Sequence, residues 1–203
     1  MLIPQTVRST AYALLLLLLC LAMPAWADFQ AGLDAHKRGD YKAALHELRP
    51  LAERGDAVSQ FQLGTMYDSG KGVPQDYVTA RQWYEKAANQ GDALAQLMLG
   101  AIYYDGRGVP KDYGQALRWL NLAANQGNPL AQIKLGLMLS EGALKGGRGA
   151  AQDLVRAHMW VNLYTANGNA SAAELRDAIA KHMTVAQIAE AQKMAREWTP
   201  KTR

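Results

Sequence analysis

The chain has 203 residues, 49% hydrophobic and 20% charged, a balance that excludes a disordered or collagen-like polymer and fits one ordinary domain. Its single cysteine, Cys20, lies in an apolar leader, so the chain beyond the leader can build no disulfide framework, no cysteine zinc site and no thiol mechanism. The 22 Lys+Arg against 18 Asp+Glu give a formal +4 without a concentrated basic stripe, which argues against nucleic-acid binding.

Residues 1–27 carry one charge, Arg8, ahead of an apolar run from Ala11 to Leu21 that contains six consecutive leucines. A run of about a dozen residues suits a secretory signal peptide, whereas a membrane-spanning helix needs roughly 20. Ala25 and Ala27 supply the small side chains a signal peptidase requires. The sequence therefore predicts cleavage between Ala27 and Asp28, leaving 176 residues (203 minus 27). Acylation at Cys20 is the competing reading, but Leu19 stands where lipoprotein processing prefers a small residue. No later apolar run approaches membrane length. The expectation is a periplasmic or secreted product with no stable membrane insertion after cleavage.

Beyond the leader the chain repeats. Asp56–Gly91 and Asp92–Gly127 align without a gap at a period of 36, with 19 of the 36 positions identical. A third copy, 128–168, carries five extra residues between Gly142 and Asp153, and an abbreviated copy occupies 28–55, keeping Tyr41, Ala44, Ala52 and Gly55 in phase. Residues 169–203 depart from the pattern.

Each copy predicts two antiparallel helices. Asp56, Asp92 and Asn128 follow a glycine and cap the first helix, and Pro129 takes the tolerant first helical position. Gly64, Gly100 and Gly136 fall mid-helix, where glycine costs about 1 kcal/mol relative to alanine; their recurrence points to close packing. Gly70, Gly72, Val73 and Pro74, matched by Gly106, Gly108, Val109 and Pro110, form the turn. Asp76, Asp112 and Asp153 are expected to cap the second helix. Down it, Tyr77, Ala80, Trp83, Ala87 and Ala88 share one face, and Tyr113, Ala116, Trp119, Ala123 and Ala124 repeat them. Gly91, Gly127 and Gly168 close the units. Ser171 with Glu174, and Thr184 with Gln187, have capping-box spacing, so the last segment reads as two helices that cover the open end of the array.

The series L-G-x-x-Y, G-x-G-V-P-x-D-Y, A-x-x-W and A-A-N-Q-G resembles the Sel-one-like repeat, a relative of the tetratricopeptide repeat. The likeness is strong over 56–168 and weak over 29–55. It implies an all-α fold, an α/α solenoid wound as a right-handed superhelix of helix pairs with C-terminal capping helices, serving as an adaptor or scaffold. The third copy loses the G-V-P turn to Ala143–Gln152. Some members of that family close each repeat with a disulfide, and this chain lacks the cysteines.

Positions that vary between copies while sharing one stripe of the first helix are candidate contacts: Val58, Gln62 and Thr65; Leu94, Met98 and Ala101; Leu130, Lys134 and Leu137. In the family the first helices line the concave side, so these residues, with Tyr104 at the edge, form a candidate groove for a protein or peptide partner. Ordinary surface or packing roles are the alternative, and the 143–152 insertion is a second candidate surface. Four units at roughly 10 Å per layer give about 40 Å, room for about a dozen extended residues at about 3.3 Å each.

Chemical motifs are missing from the sequence. His36, His46, His158 and His182 have no metal-binding spacing, and Gly70-Lys71-Gly72 lacks the Ser or Thr of a phosphate loop. The cluster Gly146, Gly147, Arg148 and Gly149 reads as a surface loop. Ser140 and Glu141 have no base placed beside them by any motif. No catalytic residue, cofactor or metal is expected. The favoured function is a non-enzymatic periplasmic adaptor. Two others stand beside it: a cell-wall or β-lactam-related binding or hydrolytic protein, as for some cysteine-rich relatives, and a secreted factor engaging host proteins.

Overall fold

The computed structural model describes residues 28–146 and 149–201; the leader, its cleavage site and Cys20 lie outside them. Every regular element among the described residues is helical. In order these are α1 (28–37), α2 (Tyr41–Glu53), α3 (Ala57–Ser69), α4 (Tyr77–Asn89), α5 (Ala93–Asp105) and α6 (Tyr113–Asn125). There follow α7 (Pro129–Leu144), α8 (Ala150–Ala166), a 3-10 turn at Ala170–Ala172, α9 (Ala173–Ala180) and α10 (Val185–Glu197). The helices form repeating pairs, the arrangement of an α/α solenoid. Two compact units divide the chain within α4, one running to Trp83 and the other starting at Tyr84.

The helix starts follow from the capping residues. Asp56, Asp92 and Asn128 accept from the backbone N–H groups of Ser59, Ala95 and Ala131 at 2.7, 2.7 and 3.0 Å. Each such cap is worth about 1 kcal/mol. Asp112 caps α6 through Gln115 at 2.9 Å. Asp76 accepts from the Thr79 hydroxyl and from the backbone of Thr79 and Val78, and these bonds, the hydroxyl's first, hold its carboxyl below the usual range.

In the first unit α2 packs on α3. Ala35, Ala44, Leu48, Ala52, Leu63 and Met66 form the core, with Phe29, Tyr41 and Trp83 against its rim. In the second unit α5 packs on α6, α6 on α7, α7 on α8, and α8 on both α9 and α10. Its core runs from Leu97 through Leu120, Leu135 and Val155 to Trp160, Ile179 and Ala191. The expected role of the mid-helix glycines holds here. A Cβ on Gly100 would stand 2.6 Å from Leu120 Cγ, and one on Gly136 would stand 2.7 Å from Val161 Cγ2. Bare backbone at these points admits a branched side chain from the next helix.

Buried glutamines recur with the same period. Gln60, Gln96 and Gln132 are at most 4% exposed and donate to the carbonyls of Ala52, Ala88 and Ala124 at 3.0, 3.1 and 3.4 Å. Each adds a second donor to a carbonyl in the last turn of the preceding helix, which also accepts from the N–H of Gly55, Gly91 or Gly127. The signal was present in the sequence as a polar residue fixed at a period of 36 on an otherwise apolar face.

Three local expectations are corrected. Asp153 does not cap α8; the helix begins three residues earlier, after Gly149, and Asp153 lies in its first turn. The five extra residues are taken up largely by helix, so α7 and α8 have 16 and 17 residues where α5 and α6 have 13 each. Ser171 and Glu174 make no capping box: Ser171 lies in the 3-10 turn, and Ala172 precedes α9 without a side-chain cap. Thr184 and Gln187 do form one. Tyr113 leaves the buried face of α6 and is 53% exposed, whereas Ala116, Trp119, Ala123 and Ala124 are buried as expected.

Beyond α10 the chain folds back. Trp198 meets Trp160 edge-on at 6.0 Å, and the Lys201 N–H donates to the Asn125 carbonyl at 2.8 Å.

Candidate interaction groove

The first helices of the second unit, α5 and α7, expose apolar side chains. Leu94, Leu130 and Leu137 are 47, 54 and 39% exposed, and Met98 and Ala101 are half-buried. These residues lie at the i, i+4, i+7 positions that put a side chain on one helix face, and the opposite face of each helix is occupied by the core. Lys134, between Leu130 and Leu137, is exposed and has no ion-pair partner among the described residues.

Two clefts adjoin this stripe. The first holds about 100 Å³ and is lined by Ala101, Tyr104, Leu120, Lys134, Leu137 and Glu141, with Gly100 and Met138 at its base. The second, of about 200 Å³, shares Tyr104, Met138 and Glu141 and adds Tyr113, Leu117, Leu139 and Lys145. Both are smaller than the 300–1,000 Å³ of ordinary metabolite pockets, and each matches a side chain or two better than a whole small molecule.

The bar between them is a hydrogen bond across the two helices: the Tyr104 hydroxyl donates to Glu141 Oε2 at 2.8 Å. That bond is the chief reason the phenol's pKa lies above its usual value, with burial second. The proton stays on the tyrosine. Tyr113 meets the Tyr104 ring edge-on at 5.7 Å.

Of the sequence-derived groove residues, the fold gathers Ala101, Tyr104, Lys134 and Leu137 around the first cleft. Met98 lies on the same stripe of α5 but outside the cleft lining. Gln62 and Thr65 belong to α3 in the first unit, where the Thr65 hydroxyl donates to the Phe61 carbonyl at 3.1 Å. Sequence reasoning missed Glu141, Tyr113 and Lys145 as groove residues. Glu141 stands 37 residues after Tyr104, one more than the period, and that near-coincidence is the signal that pairs them. Ser140 is buried, and its hydroxyl donates to the Leu137 carbonyl at 2.8 Å. No cluster of metal-ligating side chains occurs among the described residues, and no helix among them is long and apolar enough to cross a membrane.

Comparison with known proteins places this geometry. A crystal structure of a Sel1 repeat protein from Oxalobacter formigenes is 36% identical with a TM-score of 0.56, over 66% of this chain and 96% of that one. A protective antigen present in uropathogenic Escherichia coli strains, displaying an SLR fold, is 28% identical with a TM-score of 0.48, over 86% of this chain and 45% of that one. No curated protein matches the chain. Sel1 repeats generally mediate protein–protein interaction, and proteins built from them are generally non-enzymatic scaffolds. The Sel1 repeat pattern matches residues 57–92, 93–128 and 129–163, more than half of the sequence, and the chain belongs to the Sel1 repeat family.

Proposed function

We propose that this protein is an exported, non-enzymatic adaptor of the periplasm that holds a protein or peptide partner on the first-helix face of its second unit. The observation that carries the reading is the row of exposed leucines, Leu94, Leu130 and Leu137, beside two clefts of side-chain size. Apolar side chains left in water in a row on one helix face, beside clefts that can take a side chain, are a usual mark of an interaction site. Export is supported by the leader sequence, with its leucine run and the small residues Ala25 and Ala27.

The test is capture. Tagged protein recovered from the periplasm with its bound partners, followed by mass spectrometry, identifies what the groove holds. Met98→Glu combined with Lys134→Glu places carboxylates on the stripe without entering the core, so the melting temperature should hold while partner recovery falls. Unchanged recovery by the double variant would show that the groove is elsewhere.

A further inference from the structure

The lengthened α7–α8 hairpin changes what surrounds one tyrosine. Tyr41 and Tyr113 hold the same place in their repeats, each the first residue of a second helix. Tyr41 is covered by the turn of the next repeat. A Cβ on Gly72 would stand 2.7 Å from its carbonyl oxygen, and Lys71 Nζ lies 5.3 Å from its ring centroid. The position 31 residues beyond Tyr113, matching Gly72, is Leu144, the last residue of an uninterrupted α7. Among the described residues no turn like that at Gly72 folds over Tyr113. Tyr113 is consequently 53% exposed and forms a wall of the second cleft beside Tyr104.

The charges around the two clefts are unevenly engaged. Glu141 accepts from the Tyr104 hydroxyl, and Asp153 pairs with Arg156 at 3.6 Å. Lys134 on the first cleft and Lys145 on the second have no ion-pair partner among the described residues. The uncommitted groups are therefore two ammonium ions on either side of an aromatic wall. Tyrosine rings offer a large apolar contact at low entropic cost, and an exposed ammonium attracts carboxylates over roughly a Debye length.

We infer that loss of the regular turn in the third repeat opens this aromatic cleft as a socket for an acidic peptide bearing one large apolar side chain, with Lys134 and Lys145 meeting its flanking carboxylates. This rests on the adaptor reading above and specifies the chemistry of the partner segment.

Fluorescence anisotropy tests it on the purified protein, with a labelled peptide carrying one phenylalanine between two runs of glutamate. We expect saturable binding that weakens about tenfold in Lys145→Glu and in Tyr113→Ala, and that declines with added salt. The same peptide with lysines for glutamates should bind at least about tenfold more weakly. Both altered side chains are exposed, so the melting temperature should stay put and report intact folding. Equal binding of the two peptides, or no response to either variant, overturns the inference. Should the acidic peptide fail to bind while Met98→Glu with Lys134→Glu still abolishes partner capture, the acidic socket is wrong and the adaptor reading stands. Loss of both results removes both.

Discussion

The hairpins α5–α6 and α7–α8 belong to the same unit and open alike, under Asp92 and Asn128, yet their first helices end by different means. After α5 the chain takes a left-handed step at Gly106, whose N–H and that of Arg107 both reach the Ile102 carbonyl, and the Asp112 N–H closes the turn on Tyr103. At the equivalent Gly142 nothing of the kind happens. The backbone stays helical, α7 runs on to Leu144, and α8 starts after Gly149. Helix length in this array therefore follows the turn residues: a left-handed glycine ends α5, and a helical one lets α7 continue. What the longer hairpin changes is the surface: a turn that elsewhere covers a tyrosine is gone, and a cleft stands in its place.

If the core is indifferent to hairpin length, equivalent core residues in the two hairpins should be worth the same. Trp119 on α6 and Trp160 on α8 occupy matching positions and are 6 and 3% exposed. Truncating a buried tryptophan to alanine removes its transfer energy and leaves a cavity, a loss of about 3–5 kcal/mol. Trp119→Ala and Trp160→Ala should show similar losses in urea unfolding. A clearly smaller loss for Trp160→Ala would mean that the lengthened hairpin is loosely packed, and the comparison would then extend to the core.

A smaller effect should differ in sign between the hairpins. Gly106 has φ of 76°, where a residue with a Cβ is disfavoured by about 1–2 kcal/mol. A Cβ there would also stand 2.8 Å from Lys111 Cγ. Gly142 is helical, and a Cβ on it would meet nothing within 4 Å, so alanine should gain the roughly 1 kcal/mol by which it exceeds glycine in a helix. Thermal melts of Gly106→Ala and Gly142→Ala should move in opposite directions. Destabilisation by both would show that Gly142 carries a constraint unseen in its surroundings.

Most of the fold was legible in the sequence because its determinants are local and recur. Gly70 and Gly106, Asp56 and Asp92, and Trp83 and Trp119 each have one physical job, and the period of 36 repeats that job in register. The site was legible only in part. Ala101, Tyr104, Lys134 and Leu137 came from helical spacing, whereas Tyr113 was assigned to the buried face because that is where its helical phase puts it. Only the absence of a turn 31 residues further on exposes it, and that is a nonlocal consequence. Asp153 failed as a cap for a related reason: once the turn is lost, α8 is free to begin earlier, and the acidic residue becomes part of its first turn. Ser171 missed its box because Ala170–Ala172 tightened into a 3-10 turn.

The smallest effect distinguishes the two units by pH. His158 on α8 is 2% exposed with no partner for Nδ1. Its pKa is lowered by burial first and by Arg176 second, with Asp177 opposing them. His36 in the first unit is lowered as well, by burial and then by Lys71. For both groups the unfolded chain, titrating near 6.5, binds a proton more readily than the folded one. The stability that each contributes by staying neutral is therefore intact above that value and is lost as pH falls from it toward the folded pKa. Melting temperature measured between pH 8 and pH 5 should decline over the acidic part of that range. His158→Gln should flatten the decline more than His36→Gln, since His158 is the more completely enclosed. Equal flattening by the two would place the acid sensitivity in both units alike, and no flattening by either would assign it to the carboxylates.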